Sequence, residues 1–263
     1  MSRIASVFAR AKRTALIPYV TVGYPTVETT LKAVPLFASA GCDVIELGIP
    51  FSDPLADGAT IQQASYEALR QGVTSRVCFE VAQELRRRVE TPLVFMTYYN
   101  PVLKFGLEQF CSKCAEVGID GLIIPDLPPE EGRELEKSTK RHGLDLVYLL
   151  SPASTQERIK LVASRSSGFI YLVSLTGVTG TRDKLPEELE SFVDGVRKRT
   201  DRPLCVGFGV STPEQARRVA RVADGVIVGS RIIQLLDEDR SLGTACSFIK
   251  CLREALSQKE VNM

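Results

Sequence analysis

Short runs of apolar, largely β-branched residues recur along the chain at 16–20, 44–47, 93–96, 121–124, 146–149, 169–173, 204–207 and 225–228, with helix-patterned stretches between them. Strands that alternate with helices imply right-handed βαβ units and a parallel sheet. Eight such units in 263 residues, roughly 33 residues each, predict a single (β/α)8 TIM barrel, the α/β class in which the sheet closes on itself inside a ring of helices. Helix signals fill the intervals. Thr212-Pro213-Glu214-Gln215 places a capping threonine before a proline at the first helical position, and Ser154-x-x-Glu157 reads as a capping box.

Three segments exceed what a plain barrel needs. An N-terminal stretch with four basic residues and no acid up to Arg13 runs straight into the first strand, and is expected to form a short helix over the barrel floor rather than a transit peptide. After the second strand, a Pro- and Gly-containing loop (48–58) leads into an extra helix (60–71) ahead of the helix at 75–88. After the eighth strand, a short extra helix (231–236) precedes the last one. A further long loop, 176–185, follows the sixth strand. Loops after strands emerge on the face where barrels build their sites, so length there points to function. No linker or composition shift divides the chain, and residues 1–263 read as one catalytic domain.

Composition narrows the chemistry. Lys and Arg number 33 against 32 Asp and Glu, a net charge of +1, which argues against nucleic acid as a partner. No apolar run approaches the ~18 residues of a membrane span. Seven scattered cysteines form no disulfide framework and suit a reducing, cytoplasmic setting. Cys111 and Cys114 supply at most half of a zinc site. His142 is the only histidine, placed after Lys140-Arg141 and before Gly143 where a cation caps a helix C-terminus. A His-based metal site or a Ser-His-Asp engine is therefore disfavoured, and no lysine lies within a predicted strand to form a Schiff base. Acid–base work falls to carboxylates.

Two carboxylates stand out. Side chains alternate along a strand, so Glu46 shares a face with Val44 and Gly48; if Ile45 and Leu47 pack under the helices, Glu46 points into the barrel near its mouth. Burial there raises a carboxyl group towards the range useful to an acid or base. The competing placement, an outward Glu46 paired with a helix arginine, would turn Ile45 and Leu47 inside. In the following loop, Asp53-Pro54-Leu55-Ala56-Asp57-Gly58 forms a rigid turn able to aim an acid, although Asp and Ser are also ordinary turn residues. Glycines at the ends of strands seven and eight, Gly207-Phe208-Gly209 and Gly229-Ser230, precede helix starts whose free amides suit a phosphate dianion, or else they simply allow close packing of helix on strand.

The run Glu46-Leu-Gly-Ile-Pro-Phe-Ser-Asp-Pro-Leu-Ala-Asp-Gly58, followed in order by Tyr98-Tyr99-Asn100-Pro101, Ile124-Pro125-Asp126-Leu127-Pro128, Gly177-Val-Thr-Gly180, Gly207-Phe-Gly209 and Gly229-Ser230, resembles the tryptophan synthase α chain family over essentially the whole length. The resemblance implies a cytoplasmic lyase of aromatic amino-acid biosynthesis that splits indole-3-glycerol phosphate into indole and D-glyceraldehyde 3-phosphate by a retro-aldol reaction. It implies Glu46 as acid and base, Asp57 as the carboxylate on the indole N–H, and Gly180, Phe208, Gly209, Gly229 and Ser230 at the phosphate. Thr179 is implied as a closing-loop residue, Tyr171 as a pocket neighbour of Glu46, and Tyr19 and Met96 as walls of the indole pocket. The same resemblance implies no metal and no cofactor on this chain, with pyridoxal phosphate (PLP) on a partner β chain that receives the indole in an α2β2 assembly through a surface near Asp53 and Pro54. Rival readings are another phosphosugar barrel enzyme, such as an isomerase, which would have no use for an acid at Asp57; a stand-alone indole-releasing lyase; and a barrel kept mainly as an activating subunit.

Overall fold

The computed structural model describes residues 1–10, 13–173, 188–207 and 209–257. Among them nine strands form one parallel sheet: β1 (Ala15–Thr21), β2 (Ile45–Gly48), β3 (Leu93–Met96), β4 (Gly121–Ile123), β5 (Asp145–Val147), β6 (Leu149–Leu150), β7 (Ile170–Val173), β8 (Leu204–Gly207) and β9 (Gly225–Val228). Their order, β5-β4-β3-β2-β1-β9-β8-β7-β6, begins and ends on neighbouring segments of the same stave, so the sheet is a nearly closed barrel.

The stave expected as one strand at 146–149 is split at Tyr148. Its backbone N–H donates to Ser166 Oγ (3.1 Å) instead of a neighbouring strand, while its carbonyl still accepts from Tyr171 N (3.1 Å). β5 thus pairs with β4 and β6 with β7, and Tyr148 bridges the seam.

Twelve helices are described: α1 (Arg3–Arg10), α2 (Val27–Ser39), α3 (Ala59–Arg70), α4 (Ser75–Arg86), α5 (Tyr99–Phe105), α6 (Leu107–Glu116), α7 (Arg133–Arg141), α8 (Gln156–Arg165), α9 (Leu189–Arg197), α10 (Pro213–Ala220), α11 (Ser230–Glu238) and α12 (Gly243–Ser257). Thr212 caps α10 as expected, accepting from Gln215 N at 3.3 Å. The cap of α8 lies one residue later than the capping box suggests: Thr155 accepts from Arg158 N (3.2 Å), because the Ser154 hydroxyl is already taken by Ser151 N (3.0 Å). His142 does end α7, with its Nε2 2.9 Å from Glu108 Oε1 on α6.

Two apolar shells follow from strand alternation. Ile45, Leu47, Phe95 and Leu122 pack outward under the helices, whereas Val44, Val94, Ile123, Val147 and Ile227 fill the interior. Ile4 of α1 is fully buried in that interior cluster, so the N-terminal helix plugs the floor, and Ser2 Oγ ties it to Asp145 Oδ2 at 2.5 Å. The floor is thereby filled, which leaves the opposite mouth as the open end.

Candidate active site

Register places Glu46 beside Tyr19 of β1 and Val94 of β3, and residues opposite one another in a parallel ladder share a face. Glu46 therefore faces the barrel interior, as alternation predicts. It is fully buried, and neither of its carboxylate oxygens has a hydrogen-bond partner among the described residues. Burial pushes its pKa up to about 8, because a desolvated carboxylate without a cation favours its protonated form.

Asp57 arrives from the loop after β2. A turn closed by Asp57 N on the Pro54 carbonyl (3.0 Å) and a bond from Gln62 Nε2 to the Asp57 carbonyl (2.8 Å) fix its backbone just ahead of α3. Its side chain is 7 % exposed, and its Oδ2 accepts from the Tyr98 hydroxyl at 3.0 Å. Burial raises its pKa to about 6, with the Tyr98 hydrogen bond acting in the opposite direction.

Tyr19 and Tyr171 complete the interior of the mouth. Burial raises both phenols well above their ordinary range, and the charges of Glu46 and Asp57 raise them further, so the two carboxylates act on the same two rings. Tyr19 also reaches Thr21 Oγ1 at 3.2 Å. Glycine is required beneath each ring: a Cβ on Gly48 would sit 2.1 Å from the Tyr19 hydroxyl oxygen, and one on Gly207 2.6 Å from that of Tyr171. Tyr19 packs with Met96 against Ile61 and Ala64 of α3 and Ile233 of α11. The structure thus brings together the two expected pocket walls and adds α3 and α11 to them.

At the far rim, Gly229 caps α11 and Ser230, its first residue, is 7 % exposed. Gly209 takes a left-handed φ of +74°, which spares the turn after β8 the penalty a side chain would carry. The first-turn amides of α11 lack intrahelical partners and carry the positive end of the helix dipole. Thr179, Gly180 and Phe208 lie outside the described residues. Asp53 is exposed, and Pro54 is half-buried and lines an open groove of about 730 Å³ together with Phe51, Gln62, Tyr66 and Arg70. Among the described residues no cluster of His, Cys, Asp and Glu could hold a metal ion, and no helix is long and apolar enough to cross a membrane.

Fold and site together define a barrel enzyme of the (β/α)8 class, with two buried carboxylates of separated pKa at its mouth. The family model for tryptophan synthase alpha chain matches residues 6–259. The chain is 57 % identical to the tryptophan synthase alpha chain of Dehalococcoides mccartyi, over 97 % of this chain and 100 % of that one, and 49 % identical to that of Chloroflexus aurantiacus, over 98 % and 100 %. Among solved structures it is similar to Mycobacterium tuberculosis tryptophan synthase (TM-score 0.93, 37 % identity, covering 98 % of this chain and 99 % of that one) and to subunit alpha from Legionella pneumophila (0.90, 35 %, 97 % and 98 %). The chain belongs to the tryptophan synthase alpha chain family. It is accordingly the lyase subunit that cleaves indole-3-glycerol phosphate to indole and glyceraldehyde 3-phosphate and works with a β chain in an α2β2 complex. The family's α chain carries no cofactor, and PLP belongs to the β chain.

Sequence reasoning assigned no role to Tyr98, Ile61 or Ile233. Tyr98 stands in the matched Tyr-Tyr-Asn-Pro run, but nothing in that run shows that its hydroxyl reaches a loop 41 residues earlier.

Proposed function

We propose that Glu46 is the acid and base of the carbon–carbon cleavage and Asp57 the group that bears the charge of the indole ring. The observation that carries this is the orphaned, fully buried Glu46 carboxyl facing the mouth. With a pKa near 8 it is mainly protonated at neutral pH and can give its proton to indole C3. Protonation of C3 places positive charge on the ring nitrogen, where Asp57, mainly ionised with a pKa near 6, accepts the N–H hydrogen bond and stabilises the cation. The Glu46 carboxylate then takes the proton of the glycerol hydroxyl as the bond to C3 breaks. The electron pair of that bond returns to the ring, the aldehyde forms, and Glu46 ends protonated as it began. Tyr19, Met96, Ile61 and Ile233 give the indole an apolar wall, and Tyr171 flanks Glu46.

The phosphate is held at Gly209, Gly229 and Ser230, where the α11 N-terminus presents free amides and dipole to the dianion. Replacing Ser230 with aspartate is expected to raise KM for indole-3-glycerol phosphate by about tenfold or more, since a like charge opposes the phosphate, while kcat changes less. Steady-state kinetics check this, and an unchanged KM would place the phosphate elsewhere.

Asp53 and Pro54 belong to the surface that meets the β chain. Leu55 between them and Asp57 is 93 % exposed, and Tyr66, which lines the groove with Pro54, 57 %, apolar area that a partner would cover. The chain is read as one catalytic domain, because α1 buries Ile4 in the barrel interior and α12 buries Leu252 and Leu256 in the outer shell. Seven cysteines, all free, fit work in the cytoplasm.

The test is indole release from indole-3-glycerol phosphate by the purified chain, with and without a β chain. Slow release alone that rises strongly on mixing is the expected result. No release in either state would leave an activating subunit as the reading, and fast, partner-independent release would leave a stand-alone lyase.

A further inference from the structure

We infer that Tyr98 is a positioning residue that holds Asp57 in its ionised form and fixes the loop that carries it; this rests on the role proposed above for Asp57. The geometry is a two-way clamp. Tyr98 caps α5, just past the end of β3, and its hydroxyl oxygen accepts from Ala56 N at 2.9 Å while its hydrogen goes to Asp57 Oδ2 at 3.0 Å. Because the Ala56 N–H occupies the oxygen as acceptor, the phenolic hydrogen is directed at Asp57, and the bond is made to the carboxylate. The ring is locked in turn. Tyr98 is 5 % exposed and stacks on Phe51, from the start of the same loop, with centroids 5.2 Å apart. One side chain from the third βα unit thus holds both ends of the loop from the second.

A buried carboxylate is costly, and burial alone would carry Asp57 further towards its neutral form. A hydrogen bond donated to the charged form opposes this. The other groups facing Asp57 cannot substitute. The Tyr19 hydroxyl from β1 is paired with Thr21 Oγ1 at 3.2 Å, Tyr171 from β7 feels Asp57 only through its charge, and Glu46 of β2, which acts on the same two rings, becomes negative as it ionises. Tyr98 itself stays protonated at every working pH, since burial first and the Asp57 charge second raise its phenol far above the ordinary range. It is therefore a donor that does not switch off.

The test is the pH profile of kcat/KM for the α reaction with the wild-type chain and Tyr98→Phe, both assayed with the β chain present. The phenylalanine keeps the stacked ring and removes the donor. The acid limb, set by Asp57 near pH 6, is expected to move up by about one pH unit, as loss of a hydrogen bond to a charged group implies. The basic limb near 8 stays in place. Activity then falls about fivefold at pH 6 but less than twofold at pH 7.5, given a one-unit shift. A merely structural residue would lower the profile by the same factor at every pH, and that outcome, or an unmoved acid limb, overturns the inference.

A fluorotyrosine introduced at position 98, a stronger donor of nearly the same shape, should move the acid limb the other way; no movement overturns the inference even where Tyr98→Phe folds too poorly to assay. Asp57→Asn separates the two levels of argument. If that variant turns over normally, the reading of Asp57 fails and this one with it. If it is crippled while the Tyr98→Phe limb is unmoved, the Tyr98 inference alone fails.

Discussion

Replacing Glu46 with glutamine is expected to lower turnover of indole-3-glycerol phosphate by ~10²-fold or more, the usual contribution of a positioned acid–base group, with little change in phosphate affinity. Glutamine keeps the shape of the side chain but can neither give a proton to C3 nor take one from the glycerol hydroxyl. The same change should alter stability in the opposite sense. Folded Glu46 holds its proton up to about pH 8, whereas in the unfolded chain it releases it near 4.5, so between these values the native state binds more protons than the unfolded one. Stability conferred by the buried neutral carboxyl is complete below pH 4.5 and is lost as pH rises through 8. The loss at alkaline pH is on the order of a few kcal/mol. Glutamine does not titrate, so thermal melts at pH 5 and pH 9 should show its Tm gaining on the wild type as pH rises. A near-normal kcat would remove Glu46 from the chemistry. A stability difference that stays constant with pH would contradict the unpartnered burial of the carboxyl.

That a carboxylate points into the barrel interior was legible from four letters of sequence, whereas its lack of a hydrogen-bond partner among the described residues was not. Alternation in Val44-Ile45-Glu46-Leu47 leaves only one arrangement that buries both Ile45 and Leu47 under helices, and it turns Glu46 inward. The staves were legible for the same reason, because each is an apolar run bounded by turn residues. What escaped notice depends on contacts between βα units. The Tyr98 bond to Asp57 spans 41 residues, and Ile61 and Ile233 look in sequence like any apolar position on an amphipathic helix. The break at Tyr148 and the one-residue shift of the α8 cap have a common cause: serine side chains, Ser166 and Ser154, take up backbone N–H groups. Such local competition turns on hydroxyl geometry, which a residue pattern does not encode.

Replacing Asp57 with asparagine is the sharper test of how charge is divided at the site, because it separates geometry from electrostatics. The asparagine oxygen can still accept from the Tyr98 hydroxyl, and the turn through Pro54 and the Gln62 bond to the residue 57 carbonyl involve only backbone atoms of this residue, so the loop should keep its place. The neutral amide no longer balances the positive charge that develops on the indole nitrogen when C3 is protonated. The Glu46 carboxylate left by that proton transfer is committed to the glycerol hydroxyl, so Asp57 is the partner at the ring nitrogen, and removal of one such electrostatic partner costs about 10²–10³-fold in kcat. KM should change by only a few fold, since the ring is uncharged in the bound ground state and the phosphate is held elsewhere. The pH profile carries the second signature. The acid limb near 6 that belongs to Asp57 should vanish from kcat/KM while the basic limb near 8 that belongs to Glu46 remains. An acid limb that persisted in the asparagine variant would have to come from another group, and Glu46, already protonated throughout that range, could not supply it.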